Sequence, residues 1–149
     1  MRTTFPLIAE KTGSSLEKPV DQKVKYWLDL ADYDFETAKA LLQSKRFLYV
    51  GFMCHQAIEK VLKAYYVQKI GAFAPKTHNL RALAQKSGIL QLIDNYYMQI
   101  IISLEPLNIE ARYPTDKEKL FRSLTQERCE DILNSTSEIY SWIKKKLEQ

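Results

Sequence analysis

Five polar side chains share one narrow stripe of an otherwise apolar segment near the middle of the chain. They are His55, Gln56, Glu59, Lys60 and Lys63, and their spacing places them on one side of a helix. A histidine, a carboxylate and an ammonium group on one face can exchange protons or hold an anion. The simplest interpretation is a solvated helix face, in which Glu59 and Lys63 form an i, i+4 ion pair in the favourable order.

Two polar residues outside this stripe are further candidates. His78 follows Thr77, a predicted helix cap, so its ordinary interpretation is a first-turn histidine. Arg112 precedes Tyr113 and a proline, and its ordinary interpretation is an anchor for a connecting segment. Because both segments must return to the protein near the stripe, we expect Arg112 or His78 to lie within hydrogen-bonding or salt-bridge reach of it. The expected partner of Arg112 is Glu59, since guanidinium and carboxylate groups pair bidentately.

Several other kinds of chemistry do not fit the residue pattern. The four glycines are scattered singly, which excludes glycine-rich phosphate and dinucleotide loops. Neither histidine follows a glutamate by three residues, so the di-metal carboxylate site of some helical bundles is not expected. Cys54 and His55 are neighbours in a helical pattern and therefore point about 100° apart, which excludes a nucleophile pair. We assign no catalytic residue, metal or cofactor.

The elements that must position these residues are all helical. Apolar periodicity predicts an all-α fold, an up-and-down bundle of four long helices plus one short helix. Residues 1–19 are expected to form an irregular arm, and residues 20–149 a single domain. The first predicted long helix begins near Val24, and the second spans 47–70. The third spans 92–104 before a stop at Pro106, and the fourth runs from Leu120 to Leu147. The short helix is expected at 77–86.

Composition sets the class of protein. The chain has 149 residues, 46% of them hydrophobic, with only four glycines and five prolines, which predicts one compact, ordered, soluble domain. The net charge of +4 comes from mixed signs and does not indicate a nucleic-acid-binding face. No apolar stretch approaches the roughly 20 residues of a membrane span, and no signal peptide is expected. Two unpaired cysteines, Cys54 and Cys129, fit a reducing cytoplasm, and both are expected to be buried.

Three separated motifs resemble one known family. They are FMCHQAIEKVLKA at 52–64, THNL at 77–80 and RYP at 112–114. Together with the preceding helix around Trp27, they are similar to HEPN domains (higher eukaryotes and prokaryotes nucleotide-binding) over about 24–143. The resemblance implies a bundle of four or five helices that forms homodimers through helix faces.

The resemblance implies two kinds of function. One is a non-enzymatic module that binds a nucleotide or RNA and accompanies a small nucleotidyltransferase, as in a toxin–antitoxin-like pair. Its ligand- or partner-binding residues would be His55, Glu59, Lys63, His78, Arg112 and Tyr113. The other is a metal-independent ribonuclease toxin, whose Arg-x4-6-His motif does not occur here because no histidine follows an arginine at that spacing. The binding module is therefore the preferred hypothesis.

The first long helix carries a second apolar stripe. Tyr26, Leu30 and Tyr33 lie beside the stripe that the bundle needs for packing. An extra apolar surface of this kind is typical of an interface. We therefore expect the chain to be a homodimer.

Overall fold

The protein is built entirely from helices in the part of the chain that the computed structural model describes, residues 19–71, 73–112 and 117–148. The side chains of residues 110–112 and 117 lie outside that description. The helices are α1 (Pro19–Gln43), α2 (Val50–Ile70), α3 (Leu80–Ser87), α4 (Asn95–Arg112), α5 (Lys117–Ser123) and α6 (Gln126–Leu147). Short 3₁₀ turns at Phe47–Tyr49 and Ile89–Leu92 precede α2 and follow α3.

The two long helices α2 and α6 run parallel to each other. Near their starts, Cys129 Sγ lies 3.7 Å from the carbonyl oxygen of Phe47. Near their ends, Gln68 Nε2 donates to the carbonyl oxygen of Leu147 at 2.9 Å. Helix α1 is antiparallel to α2, because a tight connection joins them and Lys60 on α2 bonds Asp34 on α1.

Helix α4 runs antiparallel to both α2 and α6. Its first turn meets the second half of α6, where the Tyr96 hydroxyl bonds Glu138 Oε1 at 2.6 Å. Its later part meets the start of α2, where a Cβ built on Gly51 would stand 2.8 Å from Leu107 Cδ1. The four long helices therefore run up, down, up and down, which confirms the predicted bundle.

Helix α2 lies at the centre of the bundle and contacts α1, α3, α4 and α6. Its residues from Cys54 to Glu59 are all buried, because neighbouring helices cover it on nearly every side. It ends at Gly71, whose positive φ of 74° lets its N–H bond the Val67 carbonyl. Such all-round burial is the physical reason why polar residues on α2 are removed from water. None of the described helices combines the length and the apolar character that crossing a membrane requires.

Pro106 does not stop the fourth helix, contrary to the sequence prediction. It lies inside α4, which continues to Arg112. A proline within a helix removes one backbone hydrogen bond and costs about 3 kcal/mol. Here Pro106 is exposed, whereas Leu104 and Leu107 on either side of it are buried in the core. Packing of the two leucines outweighs the cost, so the expected connecting segment from Leu107 is helical as far as Arg112.

Several helix starts also differ from the sequence prediction: α1 begins at Pro19 and not near Val24, and α2 and α4 each begin three residues later than expected. The cap of α3 is Asn79, whose side chain accepts a hydrogen bond from the Ala82 N–H, whereas Thr77 Oγ1 accepts from the Asn79 N–H. His78 therefore precedes α3 instead of lying in its first turn. The predicted last helix is divided into α5 and α6, because Thr125 caps a new helix by accepting from the Arg128 N–H. Residues 1–18 of the predicted arm and Tyr113 lie outside the described residues.

Candidate functional site

The polar stripe on α2 is buried, which excludes the solvated helix face that its spacing suggested. The exposed fractions of His55, Glu59 and Lys63 are 0%, 1% and 6%. Desolvating charged groups is costly unless they pair with one another. We call these three residues, together with His78 and Glu105, the polar cluster.

Glu59 is the centre of the polar cluster. Lys63 Nζ lies 3.1 Å from its Oε2, and His78 Nδ1 lies 3.1 Å from Oε1 and 3.2 Å from Oε2. Because an ionised carboxylate only accepts hydrogen bonds, Nδ1 of His78 must carry the proton. The expectation that His78 reaches the stripe is thus confirmed in its geometry. Its side chain is 59% exposed, so the cluster opens to solvent at this residue.

His55 occupies the other end of the cluster, beside a residue that the sequence did not indicate. Its Nε2 lies 3.4 Å from Glu105 Oε1 on α4, and its Nδ1 lies 3.9 Å from Glu59 Oε1. Neither ring nitrogen makes a hydrogen bond of good geometry. Glu105 lies 46 positions after Glu59 in the sequence, so no helical spacing groups the two residues on one element. Only the packing of α4 on α2 reveals that Glu105 belongs to the cluster.

Burial controls the charge of His55. Removal from water lowers its pKa below the ordinary value of 6.5, and the nearby carboxylates of Glu59 and Glu105 only partly oppose this effect. His55 is therefore neutral at neutral pH. With His55 neutral, Lys63 is the buried cation that pairs with Glu59.

This lowered pKa makes stability depend on pH. When the chain unfolds, His55 regains its ordinary affinity for protons, so the unfolded state binds more protons once the pH falls towards 6.5. The free energy of unfolding is therefore expected to be greatest above pH 6.5 and to decrease as the pH falls below it. Urea titrations of wild type and His55→Gln between pH 5 and 8 measure this effect. The variant should show a shallower decrease, and identical slopes would contradict the assignment.

The predicted pairing of Arg112 with Glu59 stays a prediction, because the Arg112 side chain lies outside the described residues. The backbone shows where α4 carries residue 112. Along α4, Glu105 lies beside His55, and Leu107 lies beside Gly51 one turn nearer the start of α2. Helix α4 then continues to Arg112, roughly 7.5 Å further along the axis and away from Glu59.

A groove between α3 and α4 adjoins the polar cluster. Its volume is about 310 Å³, and Glu105 forms part of its wall. The remaining lining residues combine amide, cationic and apolar side chains: Asn79, Arg81, Ala82, Gln85, Ile101 and Ile102. The backbone N–H of Arg81 donates to Glu105 Oε2 at 3.3 Å, which ties the start of α3 to α4. Sequence reasoning missed both Arg81 and Glu105 as candidate site residues.

The site has no cluster suited to a metal ion or to thiol chemistry within the described residues. No group of three or more His, Cys, Asp or Glu side chains there could hold a metal ion. Cys54 and Cys129 are free and buried, as predicted. Burial raises the pKa of the Cys54 thiol to about 12, so this thiol is protonated and unreactive at neutral pH.

A comparison with protein families gives a match that agrees with the all-helical fold. The family model described as HEPN domain matches residues 24–147, which is most of the chain. This chain belongs to the HEPN domain family. The match includes α2 with its polar stripe, the THNL segment and the whole of α4, so every described member of the polar cluster lies within the HEPN domain. No curated protein and no solved structure was found to match the chain.

Proposed function

We propose that this HEPN domain is a binding module that holds a nucleotide in the α3–α4 groove, which Glu105 of the polar cluster lines. The observation that supports the proposal is the burial of His55, Glu59 and Lys63, together with the contact of His55 with Glu105 on the wall of that groove. Apolar residues of similar size would fill the same space without a desolvation cost. Titratable groups held in such surroundings cluster at functional sites. A ligand that contacts the cluster at Glu105 gives a function to polar groups whose desolvation is costly.

The groove carries the groups that a nucleotide needs. The guanidinium of Arg81 is exposed and suits a phosphate, and the carboxamides of Asn79 and Gln85 can hydrogen-bond a base. Ile102 is exposed and gives a flat ring an apolar surface to pack on. His78 is exposed and directly precedes Asn79, and its Nδ1 contact with Glu59 leaves Nε2 free of that contact.

Calorimetric titration with ATP tests the proposal. Arg81→Ala is expected to weaken ATP binding by roughly tenfold, since a charge-assisted contact to a phosphate is lost. The matched control is Arg122→Ala on α5, an exposed arginine whose ion pair with Glu118 stays within one helix. This control should bind ATP like wild type. No binding of ATP, GTP or short RNA by wild type, or equal binding by the two variants, would refute the proposal.

One observation favours a second candidate function, a metal-independent ribonuclease. The contact between His78 and Glu59 resembles the histidine–carboxylate pairs in which the carboxylate orients the imidazole for proton transfer. His55 cannot act with it on RNA, because its side chain is fully buried. Incubating wild type and His78→Gln with labelled RNA and a chelator separates the two functions. Binding without cleavage supports the module, and cleavage that His78→Gln abolishes supports the ribonuclease.

The resemblance also underlies a proposed protein partner. We propose that the chain pairs with a small nucleotidyltransferase in an arrangement like a toxin–antitoxin pair. Co-expression with a nucleotidyltransferase encoded beside its gene, followed by gel filtration, tests this. A shared elution peak supports the pairing, and separate elution of the two folded proteins contradicts it.

We further propose a homodimer formed through α1. Tyr26 and Tyr33 are exposed there, and Leu30 between them is half-buried. Light scattering at micromolar concentration should therefore give twice the chain mass of 17.4 kDa. Tyr26→Glu should lower that mass because it places a charge in the interface, whereas Tyr49→Glu, at another exposed tyrosine, should not. A wild-type mass near 17.4 kDa would contradict the dimer.

A further inference from the structure

Glu105 is a hydrogen-bond acceptor fixed on the wall of the α3–α4 groove. Its Oε2 accepts from the Arg81 backbone N–H at 3.3 Å, and its Oε1 faces His55 Nε2 at 3.4 Å. These contacts hold the carboxylate from two sides, yet the side chain remains 29% exposed. An ionised carboxylate has about four acceptor positions, and the Arg81 N–H occupies one of them, so acceptor positions remain available to a ligand in the groove.

His55 is buried behind this acceptor without forming a hydrogen bond of good geometry to it. His55 is packed behind Glu105 and is neutral, because burial lowers its pKa. A neutral ring forms no ion pair with the Glu105 carboxylate. The orphaned ring nitrogens of His55 are also an unusual feature of a buried group, and they lie beside the one carboxylate that lines the groove. Glu105 therefore presents an acceptor that a group with hydrogen-bond donors would satisfy.

The other walls restrict what the ligand can be. The Asn79 Oδ1 already accepts from the Ala82 N–H, whereas its NH₂ group carries two donors that can reach a ligand. Ile102 supplies exposed apolar surface, and Arg81 supplies a positive charge. The ligand must bring hydroxyl or amine donors to Glu105, an apolar face to Ile102 and an anionic group to Arg81.

We infer that the groove takes the nucleoside part of a ribonucleotide, with Glu105 accepting hydrogen bonds from the ribose hydroxyls. The inference rests on the proposed nucleotide-binding function. Two neighbouring hydroxyls can donate to one carboxylate, which is how acidic residues recognise ribose in other nucleotide sites. A phosphate brings only acceptors and is repelled by Glu105, so the phosphates lie at Arg81. The base lies against Ile102.

Comparing ATP with 2′-deoxyATP and 3′-deoxyATP by calorimetry tests this assignment. Each deoxynucleotide should bind wild type roughly tenfold more weakly than ATP, because a hydrogen bond to a charged acceptor is lost. Glu105→Gln keeps the shape of the side chain and removes its charge, so it should bind all three nucleotides within a few fold of each other. Glu36→Gln on α1, at an exposed carboxylate, is the matched control and should discriminate like wild type.

The possible outcomes separate this inference from the function on which it rests. If wild type binds ATP and both deoxynucleotides equally, the ribose assignment is wrong and nucleotide binding stands. If Glu105→Gln retains the discrimination of wild type, the acceptor is another residue and the assignment is again wrong. If wild type binds none of the three, the proposed function fails as well. Circular dichroism shows whether Glu105→Gln is folded, and if it is not, the comparison on wild type decides.

Discussion

Replacing Glu59 with glutamine is expected to lower the free energy of unfolding by about 3–5 kcal/mol. The substitution leaves Lys63 as a cation buried without its carboxylate and removes the charge that His78 contacts. Urea unfolding followed by circular dichroism measures the loss. The matched control is Glu36→Gln, which breaks an exposed pair with Lys39 and should change the free energy by less than about 0.5 kcal/mol. Equal unfolding midpoints for the two variants would show that Glu59 is not the centre of a buried cluster.

A double substitution separates the stability of the cluster from its function. Replacing both Glu59 and Lys63 with methionine removes the ion pair and leaves apolar side chains of similar length. Because a buried ion pair can be exchanged for apolar packing with little loss, most of the stability lost in Glu59→Gln should return. Nucleotide binding should nevertheless be weakened, since the position of His78 depends on Glu59. A stable double variant that binds ATP like wild type would show that the cluster is not needed for binding.

The second large effect is expected at Ile58 in the middle of α2. Ile58→Ala should lower the free energy of unfolding by about 2–5 kcal/mol, because it removes a fully buried side chain and leaves a cavity. The matched control is Ile109→Ala, at an exposed isoleucine within α4, which should cost less than about 0.5 kcal/mol. Chemical denaturation of both variants measures the difference. Similar losses at the two positions would contradict the central place of α2.

The sequence predicts the bundle well because apolar periodicity is a local property. Apolar residues such as Cys54 and Val61 occupy most of the circumference of α2, which already indicates a central helix. Both residues are buried in the structure. The residues at which helices begin and end were harder to predict. The rule that proline stops a helix failed at Pro106, because burial of the neighbouring leucines depends on contacts between distant segments.

Only part of the candidate site could be predicted from the sequence, because the rest depends on contacts between distant segments. Spacing along α2 correctly places His55, Glu59 and Lys63 on one face, but spacing cannot say whether another helix covers that face. In the structure that face is buried, so the interpretation as a solvated helix face is wrong. Glu105 and Arg81 join the site through the packing of α3 and α4 against α2, a contact that no local pattern encodes. The capping signal at Asn79 was present in the sequence and would have placed His78 before the helix.

The most direct test of the central claim, that the groove beside the polar cluster binds a nucleotide, is an NMR titration of backbone amides with ATP. The largest shift changes are expected at the residues that line the groove, namely Asn79, Arg81, Ala82, Gln85, Ile101, Ile102 and Glu105. Amides of α1 around Glu36, on another side of the bundle, should remain nearly unchanged. Shift changes confined to α1 or α6, or no changes at millimolar ATP, would contradict the claim.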